Sequence, residues 1–140
     1  MTAVAPHQVE LRIPRSAEFV RVARMAACAL AAQLDFTYDV MKDVELAVGE
    51  ACANAVEHVA GEGCDEVIVR FVIDAKQLAV EVIDRGEGFD PAMAVDEDKH
   101  WEHPGGLGLV VIREVMDEME IQCDPETGTC VRMIKYRGEA

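Results

Sequence analysis

The apolar positions of this chain follow two periods, one near two residues and one near three and a half. Val9, Leu11 and Ile13 alternate with polar neighbours, which predicts a short strand closing at Pro14. Ser16 is a suitable helix cap. Phe19, Val20, Ala23, Ala26, Ala27, Leu30 and Leu34 then recur at helical spacing, predicting a helix over 17–34. Asp35-Phe36-Thr37 breaks that pattern. Thr37 can cap a second helix with Val40, Val44, Ala47, Ala51 and Ala55 as its apolar stripe, running to about 59, where Gly61 and Gly63 stop it. His58 falls in the same stripe, which suits a core histidine better than a catalytic one. Two β-branched runs, 67–73 and 78–83, read as a hairpin around Asp74-Ala75-Lys76-Gln77. A glycine-rich acidic stretch over 84–106 leads into a third helix expected over about 107–118. Strands over 119–123 and 130–136 flank a strong turn signal, Asp124-Pro125-Glu126-Thr127-Gly128. The order β-α-α-β-β-loop-α-β-β predicts an α+β two-layer sandwich. A mostly antiparallel sheet is covered by three helices, as one domain over 1–140.

Composition narrows the class. Of 140 residues, 51% are hydrophobic and 29% charged, the balance of a globular chain with a real core. The 13 Lys and Arg against 27 Asp and Glu give a net charge of −14. That argues against nucleic-acid binding, which needs cations on phosphates, and against an anionic membrane surface. The longest apolar run, 25–32, is far short of the ~20 residues that span a bilayer. Residues 1–10 lack a positive region followed by an apolar one, so no secretory signal is expected and the cytoplasm is the expected location. The five cysteines (Cys28, Cys52, Cys64, Cys123, Cys130) form no C-x-x-C pair and read as reduced thiols.

Several chemistries are absent. Ser16 is the sole serine, and no G-x-S-x-G, Walker A or G-x-G-x-x-G motif occurs. His100 and His103 have the spacing of a chelating pair but no clear third ligand. Three local signals remain, each with a bland alternative. Glu50 and Asn54 lie at i,i+4 on the second helix, at the edge of its apolar stripe, where half-burial is expected. A carboxylate there can take a proton and an amide oxygen can hold a hard cation, although a solvated helix edge reads the same way. Asp84-Arg85-Gly86-Glu87-Gly88 follows a buried-looking strand. It suits a carboxylate that accepts from a ligand amino group beside a close-approach loop, or simply a turn. Gly105-Gly106-Leu107-Gly108-Leu109 opens the third helix, where exposed N–H groups and the helix dipole favour an anion. Gly108 one turn into an apolar helix costs ~1 kcal/mol against Ala, which makes a merely flexible loop a less comfortable reading.

Taken in order, E-x-x-x-N, D-x-G-x-G and G-x-G resemble the ATP-binding fold shared by gyrase, Hsp90, sensor histidine kinases and MutL. Glu50-Ala-Cys-Ala-Asn-Ala-Val-Glu-His58 resembles the first motif of the bacterial anti-sigma factor serine kinases. So do Phe19-Val-Arg21, Ala32-Gln-Leu-Asp35, Met116-Asp-Glu118 and the segment over 125–135, so that the likeness spans about 9–136.

The resemblance implies ATP as cofactor and a division of labour. Asp84 would accept from the adenine amino group, with Gly86 and Gly88 shaping the base pocket. Cys130 would stand beside Asp84, where the family carries the second of two threonines. Asn54 would coordinate Mg²⁺. Gly105, Gly106, Leu107, Gly108 and Leu109 would line the phosphates under a lid over 89–104, in which Lys99, His100 and His103 sit beside the acidic Asp96, Glu97 and Asp98. Glu50 would be general base on a serine of a STAS-domain anti-anti-sigma protein. Arg21 would contact a partner, a sigma factor would be sequestered, and the chain would form a homodimer. Two other functions fit the same motifs: a kinase acting on a stress-signalling scaffold, and a non-catalytic nucleotide-gated binding module.

Overall fold

The computed structural model describes residues 6–57, 66–84, 106–124 and 128–138. Five strands, β1 (His7–Pro14), β2 (Glu66–Ile73), β3 (Gln77–Asp84), β4 (Glu118–Asp124) and β5 (Gly128–Tyr136), form one antiparallel sheet in the order β1-β2-β3-β5-β4. Among the described residues three helices, α1 (Ala17–Gln33), α2 (Tyr38–Glu57) and α3 (Gly106–Val115), accompany it. The expected α+β sandwich is what forms. The core lies between sheet and helices. It joins Val67, Val69, Phe71, Leu78, Val80, Val82, Val131 and Met133 of the strands to Val44, Ala47, Val48 and Ala51 of α2 and to Leu109 and Ile112 of α3. Small residues at 23, 27, 47 and 51 let α1, α2 and the sheet approach closely, and all four are buried.

Strand parity separates two faces. Asp84 pairs with Thr129 and Thr129 with Cys123 on the helix-facing side. One position along, Ile83, Cys130 and Gln122 point the other way. That second face carries a row of alternating charge across all five strands, Glu10, Arg70, Glu81, Arg132 and Glu120, each directly opposite the next. Opposite charges placed so favour this register, and Arg70 Nη1 meets Glu81 Oε1 at 3.2 Å.

The element ends have local causes. Ser16 holds the N-cap of α1 with extended backbone (φ −147°, ψ 139°), but its side chain makes no cap bond, contrary to the expected hydroxyl cap. Thr37 does cap α2, its Oγ1 accepting from Val40 N at 3.3 Å. Asp35, at φ 60°, ends α1 in a Schellman turn: Phe36 N donates to Ala31 O and Asp35 N to Ala32 O, each at 3.2 Å. Helix α3 stops at Val115, three residues before the expected end. Asp117 is already engaged with β5 there, its N donating to Ile134 O at 3.0 Å and its Oδ2 accepting from Tyr136 N at 2.7 Å. Lys135 Nζ caps the helix by donating to Val115 O at 2.7 Å. The last strand also starts earlier than expected, at Gly128 (φ 94°).

Candidate active site

Helix α2 carries the first pair of candidate residues. Its apolar stripe docks on α1 and the sheet, which turns Asn54 inward to 6% exposure and leaves Glu50 half-buried. Asn54 is thus more deeply buried than its helical angle suggested. Helix α3 crosses the same stretch of α2 with its first turn. A methyl group added at Gly108 would sit 2.6 Å from Glu50 Oε2 and 3.5 Å from both amide atoms of Asn54. Any side chain would displace the Glu50 carboxylate, so close approach is what the glycine at 108 provides. The first and third motifs, more than fifty residues apart in sequence, meet at this point.

The second motif supplies Asp84, at the end of β3 and 4% exposed. It lines a narrow recess together with Asn54, Leu109, Thr129, Val82 and Val131. The residue beside Asp84 is Thr129, not Cys130. The pairing puts Thr129 opposite Asp84, whereas Cys130 pairs with Ile83 and points to the far face of the sheet. The misplacement is a one-residue slip, which in a strand exchanges faces. Burial, and next the neighbouring Glu81, push the Cys130 thiol up to about 11, so it sits protonated and neutral beside the charge row. Thr129 is 6% exposed, and its hydroxyl donates to Cys123 Sγ at 3.9 Å. The Gly-Thr step that starts β5, read with correct parity, was the signal for it.

Asp84 is also ion-paired. Arg15 Nη2 lies 3.4 Å from its Oδ2, with side chains only 9% and 6% exposed. Nothing in the Pro-Arg-Ser turn at 14–16 marks Arg15 as special in sequence. Cys52, on α2 between Glu50 and Asn54, is fully buried, and burial pushes its thiol up to about 12. It is a packing residue.

A second hollow, about 670 Å³, runs between α1 and α2. Arg21, Arg24, Lys42, Glu45, Glu50 and Glu57 line it. Arg21 is exposed on α1, on the same groove as Glu50. Arg24 lies over Gly49, where an added methyl would meet its Cδ at 2.7 Å. Glu45 Oε2 accepts from Lys42 Nζ and from Cys28 Sγ, each at 3.1 Å, and these bonds, that from Cys28 foremost, hold its carboxyl below the ordinary range.

Gly106 opens α3, with Leu107 exposed and Leu109 buried against the recess. His58, Gly86, Gly88, Gly105 and the lid over 89–104, with His100 and His103, lie outside the described residues.

The histidine kinase-like ATPase domain family matches residues 13–135, nearly the whole chain. The chain belongs to that family. Serine-protein kinase RsbW of Bacillus velezensis is 36% identical to it over 141 positions, covering 91% of this chain and 84% of that one. RsbW of Bacillus subtilis is 34% identical with the same coverage. The histidine kinase domain of a blue-light-activated histidine kinase from Erythrobacter litoralis shares the fold, with a TM-score of 0.55 at 21% identity over 98% of this chain and 66% of that one. The resemblance read from the three motifs is borne out, and with it the class of reaction. This ATPase-family member is a protein-serine kinase of the GHKL type, a fold that binds ATP. No described helix is long and apolar enough to cross a membrane.

Proposed function

We propose that this kinase moves the terminal phosphoryl group of ATP to a serine hydroxyl of a STAS-type anti-anti-sigma protein, and that it sequesters a sigma factor. The observation that carries the reading is the meeting of Glu50, Asn54 and Gly108. A half-buried carboxylate stands one helical turn from a buried amide, both against the opening turn of a helix.

Each group has a role that its chemistry suits. Asp84, buried and paired with Arg15, accepts from the adenine amino group, and the Thr129 hydroxyl offers a second polar partner in the same recess. The N–H groups at the start of α3, with Gly106 and Gly108, face the phosphates; Leu107 and Leu109 flank them. Glu50 takes the proton from the attacking serine oxygen as the new O–P bond forms and the bond to the leaving ADP breaks. The remaining work is positioning and charge stabilisation.

Among the described residues no three of His, Cys, Asp and Glu gather as a ligand set. Mg²⁺ is commonly held by one protein oxygen or two together with substrate phosphates, and the buried Asn54 amide fits that pattern. When bound, it would neutralise phosphate charge, which a chain of net charge −14 needs locally.

The groove between α1 and α2 suits the protein substrate, because Glu50 lines it and Arg21 stands on its wall. A homodimer in the cytoplasm completes the proposal by analogy with the family. Incubation with ATP, Mg²⁺ and candidate STAS proteins, read by intact-protein mass spectrometry, tests it. Gain of one phosphate on a serine is expected. A partner that binds in a nucleotide-dependent way without ever gaining phosphate would favour the non-catalytic module instead.

A further inference from the structure

We propose that Arg15 is a positioning residue for recognition of the nucleotide base, acting through Asp84. The inference rests on the reading of Asp84 as the base acceptor. Arg15 follows the last residue of β1 in a tight turn closed by Ser16 N donating to Pro14 O at 2.8 Å. Pro14 pairs with Glu66, and Val67 with Asp84, so the ends of β1, β2 and β3 lie level. The Arg15 side chain spans the end of β2 and brings its guanidinium to Asp84 Oδ2, 3.4 Å away on the next strand but one.

The pair is buried, at 9% and 6% side-chain exposure, in a chain with only 13 Lys and Arg to set against 27 acids. Well-packed apolar residues in place of a buried ion pair commonly fold as well or better, so stability alone does not explain a full charge pair here. Recognition does. The terminal torsion of an aspartate is soft, so the plane of its carboxylate is set by its partners. A guanidinium stays charged when buried and offers a planar fork. Held at Oδ2, the Asp84 carboxylate keeps a fixed plane and remains an acceptor, and a carboxylate has lone pairs for several partners. A carboxylate acceptor held in place by Arg15 favours a base with an amino group at position 6 over one with a carbonyl, whose oxygen it repels.

The test compares ATP with inosine triphosphate, which differs by that substitution, using calorimetric Kd alongside Tm for each variant. The wild type is expected to prefer ATP, and Asp84→Asn to flatten the preference. Arg15→Met should weaken ATP about tenfold while leaving inosine triphosphate within about twofold, the scale of a charge-assisted bond. Arg15→Lys keeps the charge and should lose only about threefold. In the Asp84→Asn background, Arg15→Met should cost nothing further, because its action passes through Asp84. If Arg15→Met lowers Tm and leaves both affinities unchanged, Arg15 is a structural tether and the inference falls. If it costs as much without Asp84 as with it, Arg15 touches the ligand itself, and the positioning role falls. Should Arg15→Met fail to fold, Arg15→Lys decides, and an unchanged ATP preference overturns the proposal. Asp84→Asn with wild-type ATP affinity would instead sink the base assignment, whatever Arg15 does.

Discussion

The groove between α1 and α2 is wide, about 670 Å³, and lined by charged side chains of both signs. The recess between α2, α3 and the sheet is narrow, and its polar groups are Asn54, Asp84 and Thr129 among apolar neighbours. Helix α2 is the wall between them. Glu50 belongs to the groove and Asn54, one turn later, to the recess. A wide charged groove suits a protein surface, which brings its own shape and charge. A narrow, mostly apolar recess with a few convergent polar groups suits a flat base. On the proposed function, one helix with an acid and an amide at i,i+4 would serve both substrates of the transfer, with Gly108 at the junction.

The sharpest way to break this division is to remove the group that faces the groove. Glu50→Ala should abolish transfer by about 10²–10⁴-fold, the worth of a positioned general base, with ATP affinity nearly unchanged. Glu50→Gln, which keeps the shape, should lose nearly as much. Phosphotransfer kinetics beside calorimetry separate the two readouts, and equal turnover by mutant and wild type would remove Glu50 from the chemistry.

On the recess side the expected effect is smaller and of the opposite kind. Asp84→Asn should weaken ATP about 10–100-fold through a lost charge-assisted hydrogen bond. It also leaves Arg15 buried without its full counter-charge, so some loss of Tm accompanies it. Turnover at saturating ATP should fall much less than the affinity.

At the junction, Gly108→Ala affects both sides. Removing glycine from a helix favours folding by about 1 kcal/mol. The new methyl, 2.6 Å from Glu50 Oε2, opposes that and must push the carboxylate aside. Tm should therefore move little while transfer falls about tenfold, a separation that strain on a catalytic group predicts and general destabilisation does not. A loss of Tm with no change in transfer would show that the helix, not Glu50, had given way.

How far these features could be read in sequence follows their physics. Periodicity found the five strands and three helices of the described residues, because core faces repeat at 2.0 and 3.6 residues. Helix ends were less legible. The early stop of α3 depends on Asp117 bonding Ile134 and Tyr136, contacts between segments distant in sequence. The site motifs were legible because each is local. Their convergence at Gly108 needed the crossing of α2 and α3, and Arg15 needed the level ends of three strands. No window of sequence contains either relation.

The assignment beside Asp84 gives the smallest effect and the cleanest test. Thr129 and Cys130 are adjacent in sequence, similar in size, and on opposite faces of the sheet. Thr129→Val keeps the shape and removes a hydroxyl whose bond among the described residues is a long one to Cys123 Sγ. Folding should hardly change, while ATP should bind about 2–10-fold more weakly, the range of one neutral hydrogen bond of ~0.5–1.5 kcal/mol. Cys130→Val, on the charge-row face, should leave ATP affinity unaltered. Because its thiol is held up to about 11, it is neutral at physiological pH and its replacement removes no charge. Calorimetry on the two variants decides between neighbouring residues by strand parity alone. The reverse ranking, with Cys130→Val the weaker binder, would mean that β5 pairs with β3 one residue out of the register described, and with it the lining of the whole recess would change.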